Sequence, residues 1–235
     1  MNNFNFDFDN IPDSGNSPLV FFDINYKGKP FGTLHIELFR EVFPEAVENF
    51  IYLCKGSTYR TESFGFGKYE YQKITRRTYE NCKFYDFLHD NYIISGDIYK
   101  NDGTDGGTIY NDCPIPAYYH NYYYPHDQKG LISLIPYYDP STGTYYFDSN
   151  FMITLDEPRP NNLIADLDKD QIVIGHVYEG LDVLDRMNHI IRPFAGRGFP
   201  DFRIANSDLN TTLMSKRRRR PIVPFKRKKV ITDLE

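Results

Sequence analysis

Apolar and polar residues alternate along several short stretches of the chain, and this pattern predicts a protein built mainly from β-strands. A Lys-Gly-Lys-Pro turn joins the first two stretches into a hairpin. The predicted strands cover residues 19–26, 31–39, 84–97 (one strand or two short ones), 130–135, 150–155, 171–177 and 229–232. Residues 57–80 show no clear period and are expected to form a loop.

Two segments change to the helical period of 3.6 residues. The first begins at Pro44, which suits a first helical turn, and stops at Gly56. The second covers residues 181–188. Many short strands with turn signals, together with two helices, favour a closed antiparallel barrel with a helix at each end.

At 235 residues, the chain is long enough for one domain with a sizeable core. We expect residues 1–17 to form a flexible N-terminal arm and residues 18–235 to form a single domain. The sequence contains no recognisable signal peptide and no apolar run long enough to cross a bilayer. Three cysteines suit a reducing compartment, and we expect them to be small buried hydrophobes. The predicted location is therefore intracellular, cytoplasmic or nuclear.

One strongly basic segment differs from the rest of the chain. Residues 216–229 contain nine Lys and Arg residues and no acid, whereas the whole chain has 27 basic and 32 acidic residues and a formal net charge of −5. Without this segment, 18 basic residues remain against 32 acidic ones, a formal charge of −14. The candidate partner-binding residues in it are Lys216, Arg217, Arg218, Arg219, Arg220, Ile222, Val223, Phe225, Lys226 and Arg227.

Four roles are compatible with this basic segment: a nuclear-import signal, a nucleic-acid contact, a docking arm or a solvated loop. We favour the docking arm, because the apolar stretch Pro221–Phe225 between two basic runs can bury side chains on a neighbour. The acidic remainder of the chain supplies a complementary surface. Protein partners are therefore expected, above all further copies of the chain; nucleic acid is a weaker alternative, and no membrane contact is predicted.

Six short motifs occur in an order known from one protein family. They are Val20–Ile24, Gly32–Phe39, Pro44–Phe50, Ser95–Asp97 with the glycine-rich turn after it, Ser149–Ile153 and Ile174–Leu184. In this order they resemble the cyclophilin family of peptidyl-prolyl isomerases, over residues 18–191 and again at 228–233, and most of all its divergent members in mimivirus-like giant viruses. The resemblance implies a mainly β fold: a closed eight-stranded antiparallel β-barrel capped by two α-helices, with loop insertions. The segment 192–228 is atypical for the family, and its first part is predicted to be a flexible connector.

Cyclophilins speed rotation about X–Pro bonds, whose barrier of about 18–20 kcal/mol reflects the loss of amide resonance. The family uses an arginine that donates to the proline nitrogen, an apolar pocket for the proline ring and polar groups that hold the substrate backbone. The matching motifs place these positions on Asp86, Asn91, Tyr92, Ile94, Ile135, Pro136, Met152, Asp166, Leu167 and Gln171. Only Leu167 keeps the family's residue.

Asp86 is the main departure, because the resemblance puts it at the position of the arginine. An ionised carboxylate only accepts hydrogen bonds, so it cannot donate to the nitrogen lone pair that develops during rotation. Loss of one such donor costs about 10²–10³ in rate. Asn91 and Asp166 also make the proline pocket polar. We therefore predict an inactive or severely impaired isomerase without useful affinity for cyclosporin.

Other interpretations of these regions stay open. Arg76 or Arg77 could enter the pocket and supply a donor, if the register across the loops differs by a residue or two. Asp86 could equally be a solvated strand residue without a role. The tyrosines between residues 118 and 124 either pack a long loop onto the barrel or form a protein interface.

Metal ions and cofactors are not predicted. The turn Asn101–Gly107 resembles a calcium loop in composition only, since it lacks a bidentate acid at the twelfth position. His120 and His126 are six residues apart and have no further zinc ligands at suitable spacing.

The sequence thus predicts a cyclophilin-like protein with a degenerate proline-binding site. Its predicted role is that of a non-catalytic binding or assembly module, homo-oligomeric, and virion-associated if a virus encodes it. The alternative is a weakly active peptidyl-prolyl cis-trans isomerase with a rebuilt site. An arginine or another donor facing the proline site would favour the enzyme.

Overall fold

Antiparallel strands dominate the computed structural model, which describes residues 17–66, 69–117, 122–194, 199–210 and 228–229. In chain order the strands are β1 (Leu19–Tyr26), β2 (Lys29–Leu38), β3 (Thr58–Phe66), β4 (Tyr69–Arg77), β5 (Asp86–Leu88), β6 (Tyr92–Ser95), β7 (Ile115–Pro116), β8 (Tyr122–Tyr123), β9 (Leu131–Leu134), β10 (Tyr137–Asp139), β11 (Thr144–Phe147), β12 (Phe151–Thr154), β13 (Ile172–Glu179), β14 (Phe202–Leu209) and β15 (Lys228–Lys229). The helices are α1 (Pro44–Lys55) and α2 (Leu181–Ile191), and residues 164–169 and 192–194 form 3₁₀ turns.

Eight of these strands form one curled sheet in the order β14-β1-β2-β13-β9-β12-β6-β5. The predicted mainly β, eight-stranded antiparallel architecture is therefore confirmed. Its continuous closure is not, because β14 and β5 are the two outer strands of an open order. The segment before β5 runs beside β14, through an isolated Lys83–Arg203 bridge and backbone hydrogen bonds that include Asn81 N–H to Ile204 O at 2.7 Å and Phe84 N–H to Phe202 O at 3.0 Å.

The core follows from the period of two in the strands. In β1, Val20, Phe22 and Ile24 are buried, as an alternating strand with one covered face requires. Phe22 belongs to a cluster of four mutually contacting rings, with centroids 4.8–5.8 Å apart, made by Phe22, Phe50, Tyr79 and Phe151. In a chain without Trp, these rings supply the large aromatic burial, and each pair adds about 0.5–1.5 kcal/mol beyond its buried area.

Both predicted helices are present. In α1, the predicted stripe of Val47, Phe50, Ile51 and Cys54 is buried. Pro44 is its first residue, and Gly56 ends it in the left-handed conformation (φ 59°), which glycine adopts at low cost. Helix α2 is longer than predicted, and its buried side chains are Val183, Leu184, Met187 and Ile191.

The expectation of a loop over residues 57–80 is wrong, because β3 and β4 pair along their whole length as a separate two-stranded sheet. The buried Arg77 guanidinium fixes the base of this hairpin through two hydrogen bonds to the Asp112 carboxylate, of 3.0 and 3.1 Å. An insertion rich in Tyr, Gly and Arg has no apolar stripe, so its strands depend on cross-strand pairing and on this ion pair.

The last strand of the main sheet also differs from the prediction. The outer partner of β1 is β14, which lies inside the segment predicted to begin as a flexible connector. Of the predicted last strand 229–232, only Lys229 is described; it pairs with Tyr122, and the preceding Lys228 pairs with Tyr123. The predicted arm at 1–17 lies almost wholly outside the described residues, as does 211–227, so the proposed domain limits stay a prediction.

Two smaller expectations can be checked. Cys54 and Cys82 are buried as predicted, whereas Cys113 is exposed. Cys113 directly follows Asp112, whose carboxylate forms an ion pair with Arg77 of the β3–β4 hairpin. Within the ranges that the structure describes, none of the helices combines the length and the apolar character that crossing a membrane requires.

Candidate functional site

The strand register brings four of the predicted site positions onto one face of the sheet. Asp86 pairs with Ile94, Ile94 with Met152, and Met152 with Ser133, across four successive strands. Cross-strand partners point to the same face, and Tyr92, two residues before Ile94, joins them. The next row, Ile93, Ile153 and Ile132, points into the core. The first row therefore lies on the outer face of the sheet; we call it the outer row (Asp86, Tyr92, Ile94, Met152 and Ser133).

Asp86 is at the solvent-exposed end of the outer row. One of its carboxylate oxygens accepts a hydrogen bond of 2.7 Å from the N–H of Phe87. Among the described residues, no cation forms an ion pair with it. Burial and then the charge of Asp86 raise the pKa of the Tyr92 phenol, which shows that the two side chains are close. The outer row thus ends in a hydrogen-bond acceptor.

Arg76 and Arg77, the alternative donors, are engaged elsewhere. The Arg76 Nε donates to Gly56 O at 2.6 Å, at the end of α1, and its Nη1 contacts Glu80 at 2.8 Å. Arg77 is held by Asp112, as described above. The hypothesis that either arginine enters the proline site is therefore wrong for this structure.

Asn91 fastens two loops and does not line the outer row. Its side chain is buried; its Nδ2 donates to His89 O at 3.1 Å, and its Oδ1 accepts from Leu163 N–H at 2.6 Å. A seat for a proline ring needs an apolar side chain, whereas this amide is fully used by backbone groups. The resemblance located the position, but its contacts could not be read from the sequence.

A cleft of about 620 Å³ lies beside Asn91, between α2 and the loop 155–162. Several of its charged groups are paired; Asp90, for example, accepts from Arg192 at 2.6 Å and from Asn188 at 2.8 Å. Partial burial opposes the shift, but these bonds and one from His89 lower the pKa of Asp90 to about 2. The cleft is therefore polar and does not offer an apolar seat.

The 3₁₀ turn 164–169 carries two further predicted positions, and Gln171 follows it. Leu167 is buried, whereas Asp166 is exposed and contacts Lys169 at 2.7 Å. The Gln171 Oε1 is buried and has no hydrogen-bond partner among the described residues, although the Gln171 N–H donates to Leu167 O at 3.0 Å. The turn thus covers the sheet with Leu167 and presents a carboxylate to solvent.

A buried network that the sequence analysis missed pins this turn to the outer row. His126 contacts Asp168 Oδ1 through Nδ1 at 2.7 Å and Ser133 Oγ through Nε2 at 2.6 Å. Because a carboxylate only accepts, Nδ1 carries the proton and Nε2 accepts from the Ser133 hydroxyl. Burial lowers the pKa of His126 in spite of the nearby carboxylates of Asp168, Asp127 and Asp170. Ser133 is fully buried, so this Ser-His-Asp set serves structure and not nucleophilic attack.

Ile135 and Pro136 are half-buried and lead from β9 into a tyrosine-bearing hairpin, β10–β11. Ile135 N–H donates to Asn150 O at 3.4 Å. The sequence analysis missed this hairpin, although its sequence indicates one. Turn residues lie between two tyrosine pairs in Tyr-Tyr-Asp-Pro-Ser-Thr-Gly-Thr-Tyr-Tyr. The candidate basic residues from Lys216 to Arg227 lie outside the described residues.

The glycine-rich turn Asn101–Gly107 is organised by a buried carboxylate. Asp97 accepts six backbone N–H groups, at 2.8–3.3 Å, from Tyr99, Lys100, Asp102, Gly103, Thr104 and Asp105. Burial alone would raise the pKa of Asp97, but these hydrogen bonds lower it. In the part of the chain that the structure describes, no group of three or more His, Cys, Asp or Glu side chains could hold a metal ion.

A comparison of the chain with known families identifies the family to which this fold belongs. The family model of cyclophilin-type peptidyl-prolyl cis-trans isomerases matches residues 21–206. The chain belongs to the cyclophilin family. This cyclophilin is 50% identical, over 218 residues, to a structural PPIase-like protein of Acanthamoeba polyphaga mimivirus, and the match covers 93% of each chain.

Two further comparisons agree. The crystal structure of the mimivirus cyclophilin matches with a TM-score of 0.73 and 47% identity, over 92% of this chain and 99% of that one. Human E3 SUMO-protein ligase RanBP2 is 30% identical over 177 residues, which are 75% of this chain but 4% of that protein. The resemblance to the cyclophilin family, and to its giant-virus members, is thus confirmed.

Proposed function

We propose that this cyclophilin is a non-catalytic binding or assembly module whose proline site is degenerate. The exposed carboxylate of Asp86 at the end of the outer row carries the proposal. Rotation of an X–Pro bond needs a donor near the proline nitrogen, and Asp86 offers an acceptor. The engagement of Arg76 with the end of α1 and of Arg77 with Asp112 supports the same conclusion.

The surroundings of Asp86 also disfavour proline binding. Ile94 and Met152 still provide apolar surface, but the Asn91 side chain is tied to loop backbone groups and adds no apolar wall, and Asp166 presents a carboxylate to solvent. A site that binds mainly through apolar contact loses affinity when such walls are missing or polar. We therefore expect no useful affinity for cyclosporin either.

A protease-coupled isomerisation assay on the purified protein tests this proposal. We expect no acceleration of X–Pro isomerisation above the uncatalysed rate, with an active cyclophilin at equal concentration as the positive control. A rate near that of the active cyclophilin would refute the proposal and favour the alternative, a peptidyl-prolyl isomerase with a rebuilt site.

The mimivirus relative is described as a structural PPIase-like protein, and this supports a structural role here too. If a giant virus encodes this chain, we expect it in purified particles at a copy number typical of structural components. Quantitative mass spectrometry of such particles would measure this, and its absence from them would contradict the virion role.

We further propose that the basic segment 216–227 joins copies of the chain. The support is electrostatic: the chain outside residues 216–229 carries a formal charge of −14, so each copy offers an acidic surface to the segment of another. The apolar stretch Pro221–Phe225 can add buried contact area to the charge pairing.

A further inference from the structure

The hairpin β10–β11 presents tyrosines on both of its faces. Its turn is fixed by Asp139 Oδ1, which accepts from the N–H and the hydroxyl of Ser141 at 2.8 and 2.7 Å. Tyr137 pairs with Tyr146, and Tyr138 pairs with Tyr145. Because side chains alternate along a strand, the two pairs lie on opposite faces.

One of these faces combines aromatic rings with acidic groups. The Tyr137 and Tyr146 rings stack with centroids 6.0 Å apart, and Tyr146 also pairs with Pro116 of β7. Asp139 is two residues beyond Tyr137 and therefore on the same face. We call this the tyrosine face (Pro116, Tyr137, Asp139 and Tyr146). Tyr137 is 42% exposed, so a partner can reach its ring.

Two carboxylates act on the tyrosine face. Asp139 belongs to it, and Asp148 directly follows β11, whose last residue Phe147 pairs with Ile115 of β7. Burial, followed by the charges of Asp148 and Asp139, raises the pKa of the Tyr137 phenol to about 12. Both carboxylates are thus close enough to act on the ring, and a basic ligand would meet a favourable potential.

The chain itself contains a segment with the matching chemistry. Pro221 and Pro224 are three positions apart, and four arginines precede them while Lys226 and Arg227 follow Phe225. Proline pairs at this spacing favour the extended polyproline II helix and dock in aromatic-lined grooves, where flanking basic residues pair with acids.

The electrostatics of the chain favour the segment of a second copy as the occupant. Lys228 and Lys229, which follow the segment, pair with Tyr123 and Tyr122 of their own chain. The chain outside residues 216–229 carries a formal charge of −14, so each copy attracts the basic segment of another.

We propose that the tyrosine face is the docking surface for residues 216–227 of a second copy, with Pro221 and Pro224 on the tyrosine rings and basic side chains against Asp139 and its acidic neighbours. This inference rests on the proposed self-association and names its surface. Two such faces can exchange segments about a twofold axis, which closes the assembly.

Variants of the full chain test the surface by light scattering over a concentration series. We expect Tyr137→Ser with Tyr146→Ser to raise the apparent dissociation constant about tenfold or more, as loss of central aromatic contacts does. The matched control, Tyr138→Ser with Tyr145→Ser, changes the same residue types on the opposite face and should leave the constant within about twofold.

Asp139→Asn keeps the acceptor for Ser141 and removes the charge, so it should weaken assembly more than Asp182→Asn on α2. Thermal unfolding of each variant checks that it is folded.

Zero-length carbodiimide cross-linking of a mixture of ¹⁴N- and ¹⁵N-labelled full chains identifies the contact directly. We expect Lys216 or Lys226 joined to Asp139 in mixed-isotope peptides. Links to Asp139 that occur only in isotopically pure peptides, with no mixed-isotope form, would overturn the second-copy assignment. A wild-type chain that stays monomeric contradicts the proposed self-association itself. Assembly that persists unchanged in the tyrosine-face variants overturns only the surface.

Discussion

At the scale of single residues, the outer row separates the frame of the proposed site from its chemistry. Ile94 and Met152 pair across the strands, and Asp86 places an acceptor at the exposed end of the row. A carboxylate and a guanidinium are both compatible with an exposed edge strand, so stability places little constraint on this position. On the proposed function, an exchange at Asp86 should therefore affect activity and not folding.

The exchange Asp86→Arg measures how much of the site survives. We expect this variant to recover at most about 1% of the isomerase rate of an active cyclophilin, since the remaining orienting groups are absent. Adding Ile94→Gln, in the same row, should raise the rate by more than the sum of the two single changes. Asp182→Arg on α2 is the control for the change in charge, and full recovery by Asp86→Arg alone would contradict a degenerate pocket.

His126 predicts a pH dependence of stability. Its pKa is lowered in the folded protein, so the stabilisation from the neutral ring is present above the unfolded pKa of about 6.5 and is lost as the pH falls toward the folded value. We expect the free energy of unfolding to fall by up to about 1.4 kcal/mol per pH unit between pH 6.5 and 5.5. His126→Gln should remove this slope, and His189→Gln, at an exposed position, should retain it. Chemical denaturation at several pH values in this range measures the slope. Equal slopes in the two variants would contradict the role given to His126.

At the scale of elements, Asp97 determines the shape of the loop 98–107. Six backbone N–H groups converge on its buried carboxylate, so Asp97→Ala should leave them without a partner and cost on the order of 3 kcal/mol in the free energy of unfolding. Because the pKa of Asp97 is lowered, its stabilisation is present above about pH 4 and is lost on further acidification. Asp102→Ala, a change of the same type in the same loop, should cost much less in urea denaturation; equal losses would contradict this role.

The elements also show which parts of the fold a sequence can predict. The helix stripe of α1 and the alternation of β1 are strong because each buries a face in the core. In β14, Phe202 and Ile204 are buried and follow the alternation of a strand. The register with β1 then shifts between Asp23 and Ile24, and the next buried side chain of β14 is Ser207. A bulge reverses the faces of a strand, so a pattern of two apolar residues was too short to detect.

The candidate site was predictable only in part, for a similar reason. The motifs gave the row containing Asp86, Ile94 and Met152, because strand register follows from the sequence distance to the turn at Gly96 and Asp97. The role of Asn91 and the network of His126, Asp168 and Ser133 depend on loops that meet far from each other in sequence. Such contacts leave no periodic signal.

At the scale of the whole molecule, the separation of charge predicts association. In light scattering at tens of micromolar and moderate salt, we expect a mass above that of a monomer, falling to the monomer when residues 216–227 are deleted. Replacing Arg217–Arg220 by Ser should weaken assembly, whereas replacing Lys29, Lys73, Lys100 and Lys169, all exposed, changes the net charge equally and should not. A strict monomer that the deletion does not change would refute the proposal that the segment joins copies of the chain.

If the segment binds nucleic acid instead, its affinity for nucleic acid should fall steeply with salt and show little sequence preference.

The pairing of β1 with β14 has a consequence for biosynthesis. Tyr26 and its partner Phe202 are 176 positions apart, so at about 5–20 residues per second a ribosome needs roughly 10–35 s between them. During that time β1, with its Leu-Val-Phe-Phe run, has one hydrogen-bonding edge without its final partner. A nascent chain that stalls before Phe202 would present this edge to other chains. Translation speed through the last quarter of the message thus bears directly on the yield of soluble protein.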